Sequence, residues 1–111
     1  MFKYNMENES VFLEYFGNYP LMRVLDFLIA GRDMDYSMTE IAKNSNVGWT
    51  AFSEIWPQLV KREIVVFTRK VGNARLYKIN VENVWVKELI KMDSLITKLE
   101  TDRLLKQELV A

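Results

Sequence analysis

The chain has 111 residues, half of them hydrophobic and 27% charged, with 15 basic and 15 acidic side chains. That length suits one domain with a single core, and the composition is that of a chain that folds. Cysteine and histidine are absent, which excludes disulfides, thiolate or imidazole metal sites and His- or Cys-based catalysis. No catalytic residue, metal site or cofactor is expected, since no dense Asp/Glu loop is present to hold a hard cation. No apolar run approaches the roughly 18 residues of a membrane span. The opening "MFKYNMENES" has no signal-peptide core. A soluble cytoplasmic protein without a membrane partner is expected.

"SVFLEYFGNYP" carries Val11, Phe12, Tyr15 and Phe16 at helical spacing and closes at Gly17. Pro20 suits the first turn of the next helix, "PLMRVLDFLIAG", which should bury Leu21, Val24, Leu25, Leu28 and Ile29 and end at Gly31. "RDMDY" is a polar connection in which Tyr36 could form a short edge strand. Ser37 and Glu40 in "SMTE" make a capping-box pattern for a helix over about 38–45. After "NVG" a second helix should run over about 49–62. Pro57 should kink it late, because proline removes a helix bond. "IVVFT" and "RLYKIN" are β-rich runs, and Gly72-Asn73 between them signals a hairpin turn. From Val81 onward the pattern is helical. Trp85, Leu89, Met92, Ile96 and Leu99 form a coiled-coil seam over about two heptads.

Zero net charge hides an uneven distribution. Residues 61–80 carry six basic side chains and one acidic, whereas residues 1–60 carry four basic and eight acidic. A local patch, not the total, attracts phosphate. Two helices at a corner followed by a hairpin make a winged helix-turn-helix, a mainly α fold with a small β-hairpin wing. The corner needs an apolar and a small residue in the first helix, supplied by Ile41 and Ala42. It also needs a turn residue tolerant of left-handed backbone, supplied by Asn46, followed by apolar Val47. Ser45 is more polar than usual for its slot. Phe52, Ile55, Trp56 and Leu59 share one face and read as core. Trp49, at the start of the second helix, either contacts a partner or packs on the wing or the preceding helix.

The stretch "EIAKNSNVGWTAFSEIWPQLVKREIVVFTRKVGNARLYKIN", with the long last helix, resembles the winged helix-turn-helix transcriptional regulators of bacteria and archaea. The MarR/ArsR-like groups are among them, and the wording is most like small archaeal winged-helix DNA-binding proteins. The resemblance covers about residues 20–95. It implies sequence-specific binding of double-stranded DNA by a homodimeric regulator, with the second helix in the major groove and the wing on a flanking minor groove or backbone. Carried over by position, the reading face is Gly48, Trp49, Thr50, Ser53 and Glu54, and the wing set is Arg69, Lys70, Asn73 and Arg75. Lys61 and Arg62 match the basic pair that ends the reading helix. Glu63 stands where the family often has glycine, and Glu54 where it often has arginine. A carboxylate at 54 can accept from cytosine N4 but repels phosphate.

The expected division is a helical extension over 1–18, a winged helix-turn-helix over 19–81 and a dimerisation helix over 82–111. The dimer interface would use Phe12, Tyr15, Phe16, Leu89, Met92, Ile96 and Leu99. A basic hairpin is often only solvated surface, and the alternative function is a winged-helix protein-interaction module that does not bind DNA. No small-molecule effector is indicated, although an apolar ligand could lodge between the first and last helices.

Overall fold

The computed structural model describes residues 9–110. The first eight residues of the expected N-terminal extension lie outside that range. The elements are α1 (Val11–Phe16), α2 (Pro20–Ala30), β1 (Tyr36–Ser37), α3 (Met38–Asn44), α4 (Trp49–Lys61), β2 (Val65–Val71), β3 (Ala74–Ile79) and α5 (Val84–Val110). The three strands form one antiparallel sheet in the order β1-β3-β2. The mainly α, winged architecture expected from the sequence is the one observed, including the edge strand at Tyr36.

Local chemistry sets each helix end. Ser10 caps α1, accepting from the Leu13 N–H at 3.1 Å, and its hydroxyl donates to Asp26 Oδ2 at 2.7 Å, tying α1 to α2. Ser37 and Glu40 form the full capping box at the start of α3, with bonds of 3.1 and 2.9 Å. Asn83 caps α5 by accepting from the Val86 N–H at 3.1 Å. Its amide donates to the Arg62 and Glu63 carbonyls, both at 3.1 Å. One side chain thus starts α5 and holds the end of α4. Gly31 follows α2 without a left-handed backbone, at φ −101°. Its bare Cα serves packing instead, because a Cβ there would collide with the Tyr36 phenol.

The core gathers Phe12, Val24, Leu25, Leu28, Ile29, Ile41, Phe52, Trp56, Leu59, Ile79 and Val86. Burying each such side chain stabilises the fold by about 1.5–3 kcal/mol relative to exposure. Ile55 is only half-buried against this cluster, and Leu21, expected inside, is exposed at the rim. Helix α4 continues through the exposed Pro57 to Lys61.

Helix α1 packs on α5 as well as on α2. That packing corrects part of the expected dimer surface. Phe12 is wholly buried and Ile96 is 5% exposed within the single chain, so neither has surface left for a second copy. The heptad reading treated the seam as one face, but α5 has two. Its inner face carries Val86, Ile96 and the buried polar residues Asp93, Thr97 and Glu100. Thr97 donates to the Asp93 carbonyl at 2.7 Å, and Glu100 pairs with Arg103. The outer face carries Trp85, Met92, Leu95 and Leu99, each 44–50% exposed.

Candidate nucleic-acid interface

The α3–α4 corner closes as the turn chemistry requires. Asn46 takes φ +56°, its N–H donates to the Lys43 carbonyl at 3.1 Å, and the Val47 N–H donates to the Ala42 carbonyl at 3.0 Å. This is a Schellman end, with Val47 and Ala42 as its buried apolar pair. Arg23 braces the turn from α2, donating to the Ser45 carbonyl at 3.2 Å and the Asn46 carbonyl at 3.3 Å. Sequence reading missed this arginine, because only the fold brings residues more than twenty positions apart together.

The corner presents the start of α4 to solvent. Gly48, Trp49, Thr50, Ser53 and Glu54 are all exposed. Gly48 has open space where a Cβ would stand, so the backbone there is approachable. Trp49 is 55% exposed and stacks on Phe52 of its own helix, with ring centroids 5.4 Å apart. The Ser53 hydroxyl donates to the Trp49 carbonyl at 2.7 Å. Thr50 and Glu54 make no side-chain hydrogen bond or ion pair among the described residues.

A ladder of rings joins this helix to the wing. Phe52 stacks on Trp56 at 5.3 Å, Trp56 meets Tyr77 edge-on at 5.1 Å, and Tyr77 meets Phe67 at 5.9 Å. The Arg75 guanidinium lies 4.2 Å over the Phe67 ring, and its Nε donates to the Tyr77 hydroxyl at 3.2 Å. The half of the aromatic set that sequence reading assigned to the core is therefore also the support of the wing.

The hairpin turns at Gly72, φ +60°, with Val71 paired to Ala74. Lys70 and Asn73 are exposed near the tip. Lys61 and Arg62 are exposed at the end of α4, where Arg62 donates to Gln58 Oε1 at 3.0 Å. The register slips between Phe67 and Arg69, so Thr68 is a bulge. There the loop before β1 reaches in. Asp35 accepts from Arg69 through two parallel bonds of 2.9 and 3.2 Å and from the Thr68 hydroxyl at 2.6 Å. Those bonds, Arg69 first and Thr68 second, hold the Asp35 carboxyl down at about 2. Arg69, one of the wing set that the resemblance implies, is thus engaged within the chain.

A groove of about 480 Å³ is lined by Leu21, Leu25, Gln58, Leu59, Arg62, Ile64, Asn83 and Trp85. It lies between α2, the end of α4 and the start of α5, not between the first and last helices. Among the described residues, no acidic cluster is arranged to hold a metal and no helix is long and apolar enough to cross a membrane.

The cornered helices, three-stranded wing sheet and long last helix define a winged helix-turn-helix fold. Among solved structures, the chain is similar to the adhesin competence repressor AdcR from Streptococcus pyogenes, with a TM-score of 0.55 and 16% identity. That match covers 77% of this chain and 65% of AdcR. It is also similar to ZitR from Lactococcus lactis, with a TM-score of 0.55 and 14% identity over 79% of this chain and 66% of ZitR. The chain therefore spans just under two thirds of either protein's length. Both come from bacteria and lend nothing to the archaeal character of the wording. No family model and no curated protein matches the sequence.

Proposed function

We propose that this protein binds double-stranded DNA as a homodimeric transcription regulator, with the start of α4 in the major groove and the wing on the flanking backbone or minor groove. The observation that carries this reading is the exposed, polar N-terminal turn of α4, held at a braced corner beside a basic hairpin. In a helix-turn-helix, the first residues of the second helix meet base edges. Gly48, Trp49, Thr50, Ser53 and Glu54 would form the reading face. Lys61, Arg62, Lys70, Asn73 and Arg75 would meet the backbone. The extension before residue 19 and the helix after residue 81 would serve pairing, through Tyr15, Phe16, Leu89, Met92 and Leu99. Leu95 lies on the same exposed stripe. A cytoplasmic, non-enzymatic role without a cofactor fits this reading.

A second reading, a winged-helix module that binds another protein, is favoured by one observation: Trp49 and Glu54 place an aromatic ring and a carboxylate on the presented face. Titrating the protein with random-sequence duplex DNA across a salt series separates the two. Binding that falls linearly in log affinity with log salt supports the DNA reading. No binding at low salt would refute it and leave the protein-binding reading.

A further inference from the structure

The pair between Asp35 and Arg69 lies where a wing cation would be expected to meet phosphate. The guanidinium offers Nε and one terminal nitrogen side-on to both carboxylate oxygens, at 2.9 and 3.2 Å. A planar fork offered side-on in this way is also how arginine takes a phosphate. Thr68, on the bulge one residue earlier, holds the same carboxylate at 2.6 Å and so keeps it in place. The Arg69 side chain remains 64% exposed. An ion pair in such contact with water contributes little to stability and can be exchanged for another anion.

Resting on the DNA-binding reading above, we propose that Asp35 is an internal competitor for phosphate: it occupies Arg69 and sets the wing's affinity for DNA below what its basic residues alone would give. The wing then grips the backbone through Lys70 and Arg75, and Arg69 is held in reserve. Asp35 acts through Arg69 and is a positioning residue, not a DNA contact. The design favours discrimination, because a weaker sequence-independent grip leaves more of the total affinity to base contacts.

The test compares the parent with Asp35→Asn, Arg69→Ala and the double variant on a short random-sequence duplex over a salt series. Asparagine keeps an oxygen for Thr68 but gives up the charge that holds Arg69. If Asp35 competes with phosphate, Asp35→Asn binds more tightly than the parent. Its log–log salt slope steepens by about 0.9, so about 3.5-fold more affinity is lost between about 50 and 200 mM salt. The double variant returns to the parent's slope, and Arg69→Ala alone leaves that slope unchanged. A purely structural Asp35 moves the readout the other way, with weaker binding and no added slope. That outcome overturns the proposal. So does a loss of slope in Arg69→Ala alone, which needs no Asp35 variant to fold. Failure of the parent itself to bind the duplex overturns the DNA-binding reading instead.

Discussion

Asn46 and Glu63 share one backbone conformation, φ +56° and +55°, each as the left-handed residue that ends a helix. The bonds match as well. Glu63 N–H donates to the Val60 carbonyl at 3.0 Å and Ile64 N–H to the Leu59 carbonyl at 2.9 Å, as Asn46 and Val47 do with Lys43 and Ala42. Asparagine tolerates this conformation, whereas a glutamate gains nothing from its side chain there and bears about 1–2 kcal/mol of strain. Asn80 and Asn83 hold the Glu63 carbonyl at 2.9 and 3.1 Å and so enforce it. Glu63→Gly should therefore stabilise the protein by about 1 kcal/mol, and Asn46→Ala should destabilise it by a similar amount. Thermal melts of the two variants check both signs.

Base reading should rest mainly on Thr50. The Ser53 hydroxyl is already donated to a helix carbonyl, so Ser53→Ala should change sequence preference less than Thr50→Ala. A binding-site selection run on each variant and the parent decides this. The same consensus from Thr50→Ala and the parent would remove Thr50 from the reading face.

Glu54→Gln should tighten binding to all duplexes several-fold at low salt, because it removes a negative charge that repels the duplex without adding a contact. Lys70→Ala should weaken binding to all sequences and shallow the salt slope by about 0.9. Fluorescence anisotropy at three salt concentrations measures both.

Acid should release the wing late. The Asp35 carboxyl titrates at about 2, below its ordinary 3.8, because Arg69 and then Thr68 hydrogen-bond its charged form. A lowered folded-state value means that the pair's contribution is fully present above about pH 4 and is lost as pH falls through about 2. The stability difference between the parent and Asp35→Asn should thus be constant from neutrality down to about pH 4 and shrink below it. Denaturant melts at stepped pH follow that difference, and a difference already vanishing at pH 6 would contradict the assignment.

Pairing should depend on the outer face of α5. Leu95→Glu with Leu99→Glu places charge on two half-exposed positions without touching the core, and should yield a folded monomer with weak DNA affinity. Sedimentation velocity and circular dichroism together report it. A parent already monomeric at micromolar concentration would remove the basis for the dimer.

What could be read from the chain alone was local. The capping box at Ser37, the left-handed turn at Asn46 and the hairpin at Gly72 each depend on residues within a few positions, and all three are as expected. The Asp35–Arg69 pair and the Arg23 brace join residues far apart and carry no local signature. Asn83 did carry one, since an asparagine directly before an apolar helical run is a capping signal. The burial of Phe12 and Ile96 was missed for another reason. Apolar spacing identifies a face but not its partner, and the inner face of α5 is partly polar, with Asp93, Thr97 and Glu100 buried along it. Among the wing residues, Arg75 lies on a strand as expected, whereas Arg69, placed by the sequence in the connection after "IVVFT", lies on β2, and what their side chains grip depends on the bulge at Thr68 and on the Phe67 ring.

The ladder of rings from Trp49 through Phe52, Trp56 and Tyr77 to Phe67 gives the two presented elements a common mount. Helix and hairpin cannot be re-spaced without parting Trp56 from Tyr77, so the molecule behaves as a caliper with a fixed gap. A duplex whose groove and flanking strand do not match that gap must itself bend or twist to fit. On the DNA-binding reading, the cost of the mismatch would fall on the nucleic acid, and its stiffness would become part of what the protein selects.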